Sequence, residues 1–164
     1  MRHFKQVVLS AATGLSALLF CAHPASAATA ADSAPRSDVF QLIAKTTDAN
    51  WVDVDGSGGT SAGDELVVSG DLFRGSTQVG TFGEVCTMTR VAANDEADLL
   101  CAVDLLLSQG QLTLQGRFTI TSAGPGDIDL AITGGTGGYR TARGTVHADN
   151  ISDTETQVTI HLIR

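Results

Sequence analysis

Gln111-Leu112-Thr113-Leu114-Gln115-Gly116-Arg117-Phe118-Thr119-Ile120-Thr121 is the stretch on which the fold turns. Leu112, Leu114, Phe118 and Ile120 fall on one side, and Gln111, Thr113, Gln115, Arg117 and Thr119 on the other. A period of two is the mark of a strand with one face buried and one face wet. Gly116 stands on the apolar side, where a strand has to bend or let another backbone come close.

Working outward, the chain shows short runs rich in Val, Ile, Leu, Thr and Phe, parted by clusters of Gly, Asp, Asn and Ser. These read as further strands near residues 40–47, 65–74, 77–91, 98–107, 127–133, 139–149 and 154–163. No helical periodicity is sustained. The connections are mostly short, so sequence neighbours pair antiparallel, and eight such strands can close on themselves and lose their edges. The expected fold is all-β, an eight-stranded antiparallel β-barrel, with a sandwich as the alternative. The 17 glycines downstream of Gly14 favour the barrel, because strongly coiled strands use glycine at their kinks.

The N-terminus opens with Arg2, His3 and Lys5, runs through an apolar stretch over residues 7–22, and then reads Ala25-Ser26-Ala27. A charged start, a short apolar core and small residues before a cleavage point make a signal peptide over 1–27. Phe20 before Cys21 does not fit a lipoprotein signal. Cleavage leaves 137 residues, read as a flexible leader over 28–37 and one domain over 38–164. The expected location is extracellular, with no membrane association after processing. Eight basic residues then face 18 acidic ones, a net charge of about −10. Such an acidic surface excludes nucleic acid and anionic membranes as natural partners.

Only Cys86 and Cys101 remain after processing, and thiols in an oxidising compartment pair. Ala92-Ala93-Asn94-Asp95-Glu96 between them reads as a hairpin turn, which brings the two cysteines opposite each other on adjacent strands. A metal site is not expected, since two cysteines with His147 and His161 lack a ligand spacing. Residues 48–63 carry the one tryptophan. Asp53, Asp55 and Ser57 alternate there as calcium ligands would, but the twelfth-position acid is missing, which favours a mobile crossover of turn-forming Asp and Gly. Trp51 is either a lid over a ligand in the barrel mouth or a plug that finishes the core.

Several segments resemble the allene oxide cyclase barrels and their dirigent relatives. They are Gly63-Asp64 with Asp71-Leu72-Phe73, the run Gly80 through Cys86, and Gly110 through Gly116. The most specific is Ala131-Ile132-Thr133-Gly134-Gly135-Thr136-Gly137-Gly138-Tyr139-Arg140, continuing into Ala142-Arg143-Gly144. The resemblance implies an eight-stranded barrel around an apolar lumen, often assembled as a trimer in plants. Where plant allene oxide cyclases place a catalytic glutamate and asparagine, this chain reads Ala44-Lys45-Thr46 and Ser69-Gly70-Asp71. Jasmonate-type cyclisation is therefore not expected. Dirigent proteins commonly carry an aspartate where Gly138 stands, while their arginine is present as Arg143.

A barrel of this kind can guide a cyclisation or coupling of a hydrophobic small molecule by orientation in a dry cavity, with no cofactor. Arg143, Tyr139 and Asp71 are the candidate catalytic groups, and Trp51, Phe118 and Leu114 the candidate ligand contacts. Tyr139 and Arg143 share a face of one expected strand with His147, and either line the lumen or point out to surface acids. No serine or cysteine nucleophile stands with a base, which disfavours hydrolysis. A non-catalytic binding or structural barrel is the alternative, and a homo-oligomer, dimer or trimer, is compatible with either. An open apolar cavity above roughly 300 Å³ with one or two convergent polar groups marks the first reading, and a filled lumen the second.

Overall fold

The computed structural model describes residues 37–92, 94 and 96–163. The expected signal peptide and nearly all of the leader lie outside these residues. Nine strands run in the order β1 (Ser37–Val52), β2 (Glu65–Arg74), β3 (Thr77–Val91), β4 (Ala97–Leu107), β5 (Gly110–Thr121), the two-residue β6 (Gly124–Pro125), β7 (Ile128–Gly135), β8 (Arg143–Asn150) and β9 (Glu155–Ile163). All pairings are antiparallel, β1 closes on β9, and β4 continues through β5 into β7. The eight long strands therefore form the closed meander expected from the sequence. Among the described residues no helix is long and apolar enough to cross a membrane.

Two strand boundaries differ clearly from the sequence reading: β1 runs on to Val52, so residues 48–52, read as the start of a mobile crossover, pair with β2 as strand, and β8 starts late. Tyr139 does not begin β8; it ends a 3-10 helix over Gly137–Tyr139, and the strand starts only at Arg143. The amide of Tyr139 donates to Thr136 O at 2.9 Å, and that of Ala142 to Tyr139 O at 2.9 Å. These local bonds occupy the backbone groups that a strand would have offered to its neighbour.

The strands are not equally long. β1 pairs with β9 only as far as Lys45↔Glu155, but with β2 as far as Val52↔Glu65. On the other side β5 pairs with β7 only over Leu112–Gln115, but with β4 as far as Ala97↔Ile120. Strands β1 to β5 thus project past the closed barrel as a five-stranded lip. Glycine marks both departure points. A Cβ on Gly116 would lie 2.6 Å from Leu130 Cδ2 and 2.9 Å from Asp129 O, the close approach read from its place on the apolar face. A Cβ on Gly70, opposite the irregularity in β1 after Thr46, would collide with the Lys45 carbonyl.

Two apolar clusters follow from this shape. Within the closed barrel, Leu42, Leu72, Leu105, Leu112, Ile160 and Leu162 are buried together. Tyr139 and Ala142, on the β7–β8 connection, pack into that cluster and close the same end. Each buried leucine or isoleucine contributes about 1.5–3 kcal/mol. In the lip, Cys86, Met88, Ala97, Leu99 and Cys101 form the second cluster, with Leu66, Phe118 and Ile120 against it. Cys86 and Cys101 are directly opposite on β3 and β4 and form the expected disulfide.

Candidate functional site

Inward positions on β3 read Phe82, Glu84, Cys86 and Met88, so one carboxyl is placed where the pattern supplies apolar groups. Glu84 projects into a cavity of about 120 Å³ at the open end of the barrel. The wall around it is made by Val68, Phe82, Val103, Leu114, Phe118 and Leu130. Thr46, Asn150 and Thr156 line it from the side of the short strands, where Thr156 Oγ1 donates to Asn150 Oδ1 at 2.8 Å. Among the described residues lining this lumen, Glu84 is the one ionisable group.

Removal from water raises the Glu84 carboxyl above the ordinary range, because burial disfavours its charged form. Its Oε1 lies 2.9 Å from Cys86 Sγ, and since a disulfide sulfur has no proton to give, a hydrogen bond there can be donated only by the carboxyl in its protonated form. Glu84 therefore holds its proton to higher pH than an exposed glutamate. An acid in an apolar wall can donate a hydrogen bond to a carbonyl or an oxyanion that develops during reaction.

The lip adds a second concavity of about 300 Å³ on its inner face, lined by Trp51, Thr60, Met88, Val91, Ala97 and Ile120. Trp51 pairs with Leu66 across β1 and β2 and is 57 % exposed, so it does not plug the core. The loop after it is tied down by its own aspartates. Asp53 accepts from the amides of Gly56 (2.7 Å) and Gly58 (2.8 Å), and Asp64 from those of Val54 (3.1 Å) and Ser61 (2.8 Å). The Gly63 amide donates to Met88 O and the Met88 amide to Asp64 O, both at 2.8 Å, which fastens the loop to β3.

A charge cluster around the buried Asp98, with its two arginines exposed, braces the outside of the lip. Asp98 accepts from Arg90 Nε at 2.6 Å, Arg117 Nη2 at 2.9 Å and Thr119 Oγ1 at 2.7 Å, linking β3, β4 and β5. Bonding to Arg90 above all, then to Thr119, holds the Asp98 carboxyl well below the usual range.

The structure brings together only part of the residues singled out in the sequence. Leu114 and Phe118 line the lumen, and Trp51 stands on the lip beyond it. Asp71 points to the outer face, where it accepts from Gln78 Nε2 at 2.7 Å. Tyr139 is buried at the closed end. Arg143, also at that end, is exposed, and its Nη1 donates to Ala142 O at 2.7 Å. His147 faces outward between Asp129 (2.9 Å) and Asp149 (3.1 Å), and Asp129 above all raises its pKa. The residue that the sequence reading passed over is Glu84. Its signal was available: an acid at period two between Phe82 and Cys86.

A larger concavity, about 590 Å³, is lined mostly by outward-facing residues of β2 to β5, among them Val67, Val85, Ala102 and Asp104. It shares Glu84 with the lumen but is more open to solvent, which leaves the more enclosed lumen as the better candidate. At about 120 Å³ the lumen is smaller than the size set for a catalytic cavity, but it carries one convergent polar group.

Comparison with solved structures finds the same barrel several times. A pyocyanin demethylase superposes with a TM-score of 0.65 at 24 % identity, over 76 % of this chain and 99 % of that one. AbnU, an exo-specific intermolecular Diels–Alderase, gives 0.62 at 15 % identity, over 79 % and 98 %. The pterocarpan synthase dirigent protein PsPTS1 gives 0.55 at 20 % identity, over 78 % and 94 %. No curated protein matches the chain by sequence. A family model for dirigent-like proteins matches residues 33–163, and with the closed eight-stranded barrel this places the chain in the dirigent-like family.

Proposed function

We propose that the protein, after export, binds an uncharged hydrophobic small molecule in the barrel mouth and steers its cyclisation or coupling without a cofactor. The observation that carries this reading is Glu84, a carboxyl of raised pKa in an otherwise apolar wall. The wall excludes water and fixes the reacting conformer, and the acid donates a hydrogen bond to an acceptor on the substrate. Similarity in fold to a Diels–Alderase and a dirigent protein supports the same class of chemistry. Val67, Val85, Leu100 and Leu106 are exposed on the outer face of β2 to β4 and support a homo-oligomer.

The test uses a tethered diene–enone that cyclises slowly in buffer. The folded protein is expected to accelerate ring closure and bias the stereoisomer ratio, and Glu84→Gln to lose most of the acceleration while still binding the substrate. Equal rates and ratios with and without protein would refute steering. The small lumen favours a second reading, a non-catalytic carrier, which binds the same compound and leaves its rate unchanged.

A further inference from the structure

We infer that the inner face of the lip is a second subsite built for a flat apolar ring, so that the substrate is an elongated molecule reaching from Glu84 to Trp51. The inference rests on the proposed function for the identity of the lumen end and on separate observations for the lip.

Size comes first. A cavity of about 120 Å³ is ring-sized, since an engineered apolar cavity of about 150 Å³ accommodates benzene. Sites for whole small molecules are typically about 300–1,000 Å³. The lumen alone therefore holds one end of such a molecule, and the remainder needs a surface. The lip concavity of about 300 Å³ supplies one.

Continuity comes second. Lumen and lip are consecutive stretches of the same inward faces: Phe118 lines one and Ile120 the other on β5, and Glu84 lines one and Met88 the other on β3. Four residues of strand separate Glu84 from Met88, about 13 Å. That distance sets the length of the ligand between its hydrogen-bond acceptor and its outer ring.

Chemistry comes third. Among the described residues the lip lining is an indole, a thioether and aliphatic groups, with Thr60 the one hydroxyl. Indole and thioether both favour the face or edge of a flat unsaturated ring, and a lining without charge among the described residues favours a neutral one. The surface is prebuilt: the disulfide and the Asp98 cluster fix its strands, and the bonds between residues 63–64 and Met88 fix the loop that carries Thr60. A preformed surface costs little ordering when the ligand arrives.

The experiment compares two uncharged probes on the folded protein by calorimetry: a linear polyenone, and the same polyenone bearing a phenyl ring about 13 Å from the carbonyl. Trp51 is the one tryptophan, so its fluorescence reports directly on the lip. The phenyl probe is expected to bind about tenfold more tightly and to quench Trp51. Trp51→Ala should remove that advantage while leaving the ringless probe unaffected, and Trp51→Phe should restore most of it. Equal affinities of the two probes for the wild-type protein, or an advantage that survives in Trp51→Ala, would overturn the subsite. Failure of the proposed function looks different: the tethered diene–enone then cyclises at the same rate and with the same isomer ratio with and without protein, whatever happens at Trp51.

Discussion

The two ends of the barrel are made from the same strands but filled in opposite ways. At the closed end large aliphatic residues meet, Leu42, Leu72, Leu112, Ile160 and Leu162, with Tyr139 and Ala142 packed in from the β7–β8 connection. At the mouth Ala44, Val68, Val103, Val146 and Ala148 stand among the larger Phe82, Leu114, Phe118 and Leu130, and one lining residue is the acid Glu84. Smaller side chains leave space and the acid gives that space a direction. Stability is concentrated at one end, and the other end is free to carry chemistry.

The largest effects should therefore come from the closed end. Leu162→Ala is expected to cost about 2–5 kcal/mol in urea unfolding, because a fully buried leucine is removed from a packed wall. A loss as small as that of a mouth residue such as Val103→Ala would break the contrast. Replacing both Cys86 and Cys101 by serine should cost about 3 kcal/mol, given the 15-residue separation. Hydrogen exchange should rise in the lip of that variant before it rises in β8 and β9.

Asp98→Asn should lower Tm by several degrees without changing ligand binding. The pH dependence follows from its depressed pKa: the contribution of Asp98 is fully present above the unfolded carboxylate range, near 3.9, and is lost as pH falls through the lower folded value. Acid unfolding of the wild type should be less steep in Asp98→Asn. The smallest effect has the opposite sign. A carboxyl whose folded pKa is raised costs stability as pH rises from its unfolded value, near 4.3, through the folded one. Glu84→Gln should therefore raise Tm slightly at neutral pH and leave it unchanged at pH 4, as thermal melts across that window would show.

Much of this contrast was legible in the sequence. The period of Gln111 to Thr121, with Gly116 on its apolar face, announced a curved strand, and Cys86 and Cys101 flanked a recognisable turn. Leu114 and Phe118 were read as ligand contacts because they belong to that apolar face. Tyr139 and Arg143 were harder. Alternation put them on one strand, but hydrogen bonds within residues 136–142 form a 3-10 turn, and local bonding of that kind leaves no period-two trace. Asp71 stood out as an acid in an apolar run, yet its neighbours Gly70 and Leu72 take the inward positions, so its own place is outside. The same count applied to Phe82, Glu84 and Cys86 puts Glu84 inside. The lip was not legible, because it depends on where β1 leaves β9 and β5 leaves β7, and strand registers are set by tertiary pairing.

The most direct measurement is the titration of the Glu84 side-chain carboxyl carbon by NMR, assigned by its disappearance in Glu84→Gln. The expected result is a midpoint above the ordinary glutamate value of about 4.3, moving higher still when an uncharged enone occupies the mouth. A midpoint at or below the ordinary value would mean that water or a cation reaches the carboxyl, and would contradict an acid held in a dry apolar wall.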